Sequence, residues 1–289
     1  DKHSIIHIFN HNYIVDNKTF VEEPIDVYAD NLSHEMTFIT MPKNNIRNIE
    51  QAFIDCDIEV ERFISCTFAL AAKLLNENEL QLGSILINMG FEKTSLGIFK
   101  NLALIHSITL PIGVNHIVKD ISKVCSLSLE ESEIIRNKID FSFQDNAELF
   151  DKNGNLKDIY FNSSTYRKIS NSLILNIVKA RVYEIFEMIK KQVTVTELKS
   201  IFGMNFFITG GGSNLLNINK YFSDFFKINV KRLNTADKKK DEIELYENFS
   251  SCLGAIKIIK DGWETEAIPQ SKNRQGKKMS FFSRIFGNR

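Results

Sequence analysis

Residues 206–216, FFITGGGSNLL, constrain the fold of this chain more than any other stretch. Phe206, Phe207 and Ile208 make a short apolar run suited to a strand covered on both faces. Gly210, Gly211 and Gly212 then let the backbone bend sharply and come close to a ligand. Ser213 is placed to cap a following helix with apolar positions Leu215, Leu216, Tyr221, Phe222, Phe225 and Phe226. A glycine turn feeding a helix amino terminus offers N–H groups to a nucleotide. It also serves as a plain reversal, so the rest of the chain has to decide.

The preceding segments alternate strand and helix. Residues 5–9, 13–16 and 19–21 read as short strands, with Asp16-Asn17-Lys18 as a turn. Residues 36–41 read as another strand. Asn44 or Asn45 can cap a helix with Ile46, Ile49, Ala52 and Phe53 inward, and residues 58–64 read as a strand. Residues 1–62 thus form a small α/β unit with its own core. His3, His7 and His11 share a strand face, but no nearby Cys, Asp or Glu completes a compact ligand set, so partly exposed strand histidines are expected and metal: none. Residues 67–76 read as a helix, 85–88 and 94–99 as strands around a tight turn, and 102–110 as a third strand broken by Pro111-Ile112-Gly113. A helix is expected over 116–125. Ser128 and Glu131 frame a capping box for the next one. Residues 140–162 read as strand-poor loop. Residues 170–191 read as a long helix with Leu173, Ile174, Ile177, Val178, Val182, Ile185, Phe186 and Ile189 inward. Residues 234–247 are a charged surface loop and 250–259 a last core helix.

Composition excludes several classes. The formal net charge is zero over 289 residues, so no field draws the whole surface to nucleic acid. Four cysteines without a CxxC pair indicate neither a zinc site nor a disulfide framework, which suits a reducing cytosol. No run of about 18 apolar residues is present. The sequence begins at Asp1 and enters a strand-like segment directly, which reads as a fragment lacking its amino-terminal part.

Four motifs carry a resemblance. Residues 86–99, LINMGFEKTSLGIF, resemble the second phosphate loop of the actin-like ATPases, and within them the FtsA family of bacterial cell-division proteins. IGVNHIVKDI at 112–121 and the capping-box helix at 128–136 resemble two further FtsA segments. ITGGGSNLL at 208–216 is similar to the family's adenosine loop. Residues 1–62, with YIVDN at 13–17, resemble the FtsA-type insertion subdomain 1C. The resemblance implies an α/β, actin-like (ribonuclease-H-like) two-domain ATPase fold whose first phosphate-loop region is missing. By resemblance the parts are 1–62 as subdomain 1C, 63–82 as a connecting helix to domain 1, 83–118 with 204–247 as the nucleotide-binding core of domain 2, and 119–203 as its smaller subdomain. Residues 248–261 are then a final core helix, 262–276 a flexible linker and 277–289 an amphipathic membrane-targeting helix.

The resemblance implies ATP and Mg²⁺ as cofactors, both weakened or absent in a fragment. Asn88, Gly90, Lys93, Thr94 and Ser95 would face the phosphates. Gly210, Gly211, Gly212 and Ser213, with Glu133 and Arg136 one turn apart on a helix, would surround the adenosine. Otherwise Glu133 and Arg136 are a surface ion pair. The phosphate loop departs from the family pattern. Asn88 stands for aspartate, Phe91 and Glu92 for glycines and Lys93 for threonine. An amide cannot supply the negative charge that helps hold Mg²⁺, and Glu92 repels phosphate unless it turns outward. No nucleophile with an adjacent base is apparent, so catalytic residues: none, and a very slow ATPase at most is expected.

The end, KKMSFFSRIFGNR, gathers Met279, Phe281, Phe282, Ile285 and Phe286 on one helical face, with Lys277, Lys278 and Arg284 beside it. Six basic residues and no acid lie between Lys272 and the end. This pattern suits anionic membrane lipids better than nucleic acid. The implied function is an ATP-binding, self-polymerising protein that tethers the FtsZ ring to the inner face of the cytoplasmic membrane at the division site. A PilM-like pilus-assembly protein and a soluble sugar-kinase or chaperone-type ATPase are the alternatives.

Overall fold

A computed structural model describes residues 2–20, 23–143, 146–195, 203–233, 249–262 and 266–267. The chain forms two compact units. One is Asp1–Ser84, Gly97–Ser107 and Ala236–Arg289; the other is Ile85–Leu96 and Ile108–Thr235.

In the first unit, strands β1 (His3–Val15), β2 (Lys18–Phe20) and β3 (Leu32–Pro42) pair antiparallel in the order β2-β1-β3. The two strands expected over 5–16 are one. Its register shifts between Ile5 and His7 and between Asn10 and Tyr13, and these irregularities interrupt the period that a sequence reading relies on. Asp16 and Asn17 adopt φ of 45° and 67°, as a two-residue hairpin turn requires. His7 is fully buried, not partly exposed. Its Nε2 accepts from Ser65 N at 2.8 Å, and the Phe9 and Phe68 rings flank it. His11 Nε2 bonds to Thr37 Oγ1, while the Thr37 hydroxyl donates to Ile105 O.

Helix α1 (Lys43–Ile54) starts directly after Pro42, so neither Asn44 nor Asn45 is its cap. The face expected inward stays open, with no α1 side chain buried. Residues 58–64 form no strand; the acid-rich segment 55–59 is exposed throughout and finds no pairing edge. The single helix expected over 63–82 is two. Helix α2 (Cys66–Leu74) buries Thr67 to Ala72, and α3 (Glu77–Leu82) restarts at an Asn76–Glu79 capping box.

A five-stranded sheet runs β6-β5-β4-β7-β8, with β4 Ser84–Met89, β5 Thr94–Lys100, β6 Ala103–Leu110, β7 Asn205–Thr209 and β8 Val230–Arg232. β7 and β8 are parallel. Asn101 and Leu102 both take positive φ, a tight reversal between β5 and β6.

In the second unit α4 (Asn115–Cys125) packs on α5 (Leu129–Lys138) and on α6 (Asn171–Val195). Ile174, Val178, Val182, Ile185, Phe186 and Ile189 of α6 are buried as their spacing predicts. Leu173 is instead 40% exposed, and Leu175 lies inward. Among the described residues of 139–170 the regular features are the 3₁₀ turn Asp158–Tyr160 and isolated antiparallel bridges joining Phe150 to Leu156 and Asn155 to Ser170. Helix α7 (Ile218–Phe226) sets Phe222, Phe225 and Phe226 around the Phe186 ring. It begins four residues later than expected, after Asn217. Ser213 lies in a 3₁₀ turn, Gly211–Asn214, and its hydroxyl donates back to Gly210 O at 2.7 Å instead of capping the helix. Leu215 and Leu216 precede the helix.

Helix α8 (Ser250–Asp261) belongs to the first unit and lies against α2. Within the stretch expected to be a linker, β9 (Glu266–Ala267) pairs antiparallel with Phe9 and Ile8 of β1. The charged loop over 234–247 and the amphipathic segment 277–289 lie outside the described residues. Among the described residues no helix is long and apolar enough to cross a membrane.

Candidate functional site

The β4–β5 loop is built by its own backbone and by the turn that precedes α4. Gly90 N donates to Lys93 O at 2.9 Å, closing the loop. Val114 N and Asn115 N donate to the carbonyls of Gly90 and Phe91 at 3.1 and 2.8 Å. Two N–H groups at the start of α4, which a helix cannot satisfy internally, are thus taken up by the loop. Gly113 makes this fit possible. A Cβ there would sit 2.4 Å from Phe91 O and 2.5 Å from Gly90 O.

The side chains are distributed in a way the sequence does not reveal. Thr94 is buried and its hydroxyl donates to Ile112 O at 2.8 Å; Ser95 Oγ bonds to Thr109 Oγ1. The Ser95 hydroxyl therefore serves the sheet and the Thr94 hydroxyl ties β5 to the turn before α4. Glu92 turns to α4, where Asn115 Nδ2 and Lys119 Nζ donate to it at 2.6 and 3.0 Å. The Asn115 bond, and then Lys119, hold its carboxyl below the usual range. The Glu92 charge is thereby matched by Lys119, the condition under which it does not oppose a phosphate. Lys93 is exposed.

The glycine turn after β7 closes on the same loop. A Cβ on Gly210 would lie 2.2 Å from Asn88 Oδ1, and one on Gly212 would meet Val114 Cγ1 at 2.7 Å. Gly210 also has φ of 85°, a region that side chains other than glycine rarely adopt. Gly211 differs, since a Cβ on it would meet nothing within 4 Å. Two glycines are thus fixed by packing, and the middle one borders open space. Asn88, Gly90, Gly210 and Gly212 are brought together.

Helix α5 is joined to this turn beyond its carboxyl end. Phe141 N donates to Leu216 O at 2.9 Å and Asn217 Nδ2 to Asp140 Oδ1 at 2.8 Å. Burial works against the Asp140 carboxylate, but the Asn217 and Ser142 hydrogen bonds keep its pKa below normal. Arg136 is buried and bonds to the half-exposed Glu133 at 3.2 Å, so this is not a surface ion pair. Burial pushes the Arg136 guanidinium down from its usual pKa, against the pull of Glu133. Its Nε is buried without a hydrogen-bond partner among the described residues, a costly state that a bound acceptor would relieve. Sequence reasoning missed the reach of Glu131. Besides its capping bonds it accepts from Ser163 N, Ser164 N and the Ser164 hydroxyl, anchoring the Ser163–Ser164 stretch to α5.

An open-sided glycine turn, with a helix tied to the residues after it that carries a buried Arg136 whose Nε lacks a partner, fits a nucleoside. A directly liganded Mg²⁺ fits less well. Position 88 is an amide, and no group of three or more His, Cys, Asp or Glu side chains is gathered for a metal among the described residues.

The fold is that of the actin-like ATPases. MreB5 of Spiroplasma citri, solved with AMPPNP, superimposes with a TM-score of 0.58 at 18% identity over 76% of this chain and 65% of that one. The PilM–PilN type IV pilus biogenesis complex gives 0.58 at 12% identity over 86% of this chain and 65% of that one. The family described as cell division protein FtsA matches residues 85–254, more than half of the chain, and the chain belongs to that family. FtsA of Helicobacter pylori strain J99 is 25% identical over 94% of this chain and 56% of its own length. FtsA of Bacillus subtilis strain 168 is 25% identical over 78% and 51%. The chain spans about half the length of these curated relatives.

Proposed function

We propose that the intact protein is an ATP-binding actin-like cell-division protein. It polymerises and tethers the FtsZ ring to the inner face of the cytoplasmic membrane, acting by binding and assembly more than by turnover. The observation that carries this is family membership together with a glycine turn whose middle residue is open while its neighbours are held by packing. Nucleotide-bound MreB5 supports ATP as the ligand.

In this reading Gly210, Gly211 and Gly212 present backbone to the adenosine, and Arg136 gives its unpartnered Nε–H to a ribose or base acceptor, with Glu133 holding the guanidinium. Asn88, Gly90 and Lys93 lie toward the phosphates. Thr94 and Ser95 act indirectly instead, Thr94 by holding the turn before α4 and Ser95 by joining β5 to β6. Asn88 provides shape without charge, and Glu92 is occupied by Lys119. Hydrolysis is therefore very slow, and ordinary turnover of radiolabelled ATP by the full-length protein overturns that part. Residues 277–289 lie flat on anionic lipid, weakly as single tails and firmly as several tails on a polymer.

The membrane part is tested by flotation with anionic vesicles. The chain is compared with one ending at Gln275 and with Phe282→Asp. Flotation of the parent alone supports the tether. If all three stay at the bottom even when crowded, the tail is no anchor.

A further inference from the structure

Helix α1 carries an apolar stripe that is half-buried at Ile46 and open from Ile49 onward. Ile46, Ile49 and Phe53 recur at helical spacing, and Ile54 and Ile58 extend the patch. Phe53 is 44% exposed, Ile54 56% and Ile58 51%. Lys43 and Arg47 stand in the amino-terminal half of α1, but the carboxyl-terminal half and the segment after it are acidic: residues 48–60 include Glu50, Asp55, Asp57 and Glu59 and no Lys or Arg. An apolar patch whose far end is acidic selects a partner that is apolar on one side and basic at that end.

This chain contains such a segment. Residues 277–289 bear Met279, Phe281, Phe282, Ile285 and Phe286, and no acid occurs from Lys272 onward. The backbone also delivers it to the right place. Ala267 pairs with Ile8 and Glu266 with Phe9, so the antiparallel direction aims the chain leaving Ala267 toward the His3 end of β1. That is where α1 begins: His3 pairs with Pro42, and Lys43 N donates to Lys2 O at 2.9 Å. The path from Ile8 to His3 is roughly 17 Å. The segment 268–276 spans up to about 30 Å when extended. The length of α1 is about 18 Å. Residues 268–276 thus cover the way to the start of α1, the docking segment itself extends along the helix, and a short tether gives it an effective concentration of the order of mM at α1.

We propose that residues 277–289 dock in cis on the Ile49, Phe53 and Ile54 face of α1, with their basic residues toward Asp55, Asp57 and Glu59. The docked segment hides the same apolar face that a bilayer would take, so α1 and the lipid surface compete for it. The free fraction of tail then scales the apparent membrane affinity. The docking needs no bilayer, whereas its regulatory consequence rests on the membrane reading above.

The test uses the exposed thiol of Cys56, two residues beyond α1. In the full chain carrying Ser283→Cys, Cys66→Ser and Cys252→Ser, a short bismaleimide is expected to join Cys56 to the new thiol at position 283. The yield should be unchanged over a tenfold range of protein concentration. It should fall at least fivefold with Phe53→Asp, and independently with Ile49→Lys, both at exposed positions that leave the fold intact by circular dichroism. A cross-link only between chains, rising with concentration, assigns the face to a second copy and overturns the proposal. Absence of any Cys56 product, or indifference to both α1 substitutions, also overturns it. On vesicles of phosphatidylcholine and phosphatidylglycerol, Phe53→Asp should float at least threefold better than the parent. If the intrachain product forms but neither protein floats, docking stands and the membrane reading fails.

Discussion

Glu131 concentrates several functions in one residue. It closes the capping box of α5 with Ser128 and receives three further hydrogen bonds from Ser163 and Ser164. Burial opposes its charge, but these bonds hold its pKa at about 2. A depressed carboxylate stabilises the fold above its unfolded pKa, near 4.3, and that contribution disappears as pH falls through the folded value. Glu131→Gln should therefore cost about 2 kcal/mol at pH 7 in urea denaturation. The gap to the parent should shrink steadily between pH 4.5 and 2. The three glycines separate by the same kind of reasoning. Gly210→Ala places a methyl against Asn88 at positive φ and should cost about 2 kcal/mol. Gly211→Ala should leave the melting temperature nearly unchanged. If its open side faces adenosine, it should weaken ATP binding tenfold or more in the full-length protein, read by fluorescent-nucleotide titration.

At the scale of elements, two contacts decide how helices lie. Gly254 of α8 sits so close to α2 that a Cβ would fall 1.8 Å from Ala69 O, and Lys257 donates to Ala72 O at 2.8 Å. Gly254→Ala must push the two helices apart and should cost about 3 kcal/mol, seen as a lowered urea midpoint. In the second unit Arg181 of α6 grips Asp120 of α4 through two bonds of 2.6 and 2.9 Å. Glu184 completes the cluster. The pair is mostly shielded, so Asp120→Asn should lower stability by about 1–2 kcal/mol with little effect on the fold.

For the molecule as a whole, the proposed function puts nucleotide recognition at the β4–β5 and β7 loops and gives the terminal segment two surfaces to bind. Salt is the lever that separates its two kinds of contact. Vesicle binding by the basic tail should fall severalfold between 0.05 and 0.5 M NaCl, because charge near an anionic surface contributes roughly 1 kcal/mol per basic residue before screening. Flotation in a salt series measures this. A binding curve flat in salt would mean that the phenylalanines act alone.

Local physics made much of this legible in the sequence. The buried strand at Phe206 to Ile208, the capping box at Ser128 and, apart from Leu173 and Ile177, the inward stripe of α6 each depend on neighbours a few residues away and form as expected. Other features depended on partners distant in sequence, which no spacing encodes. Ser213 bonds back to Gly210 because the turn tightens into a 3₁₀ segment, so the helix starts only at Ile218. Glu92 turns to α4 because Asn115 and Lys119 lie across from it. Arg136 is buried although its spacing reads as a surface pair. The α1 stripe has the period of an inward face and yet remains open, because amphipathicity states that a helix has a side to cover and not what covers it. The sequence by itself determined the family and those elements whose pattern is local. Only the tertiary structure decided which glycines are locked and which is open, and where each charge finds its partner, because packing and desolvation act between groups that the chain brings together only on folding.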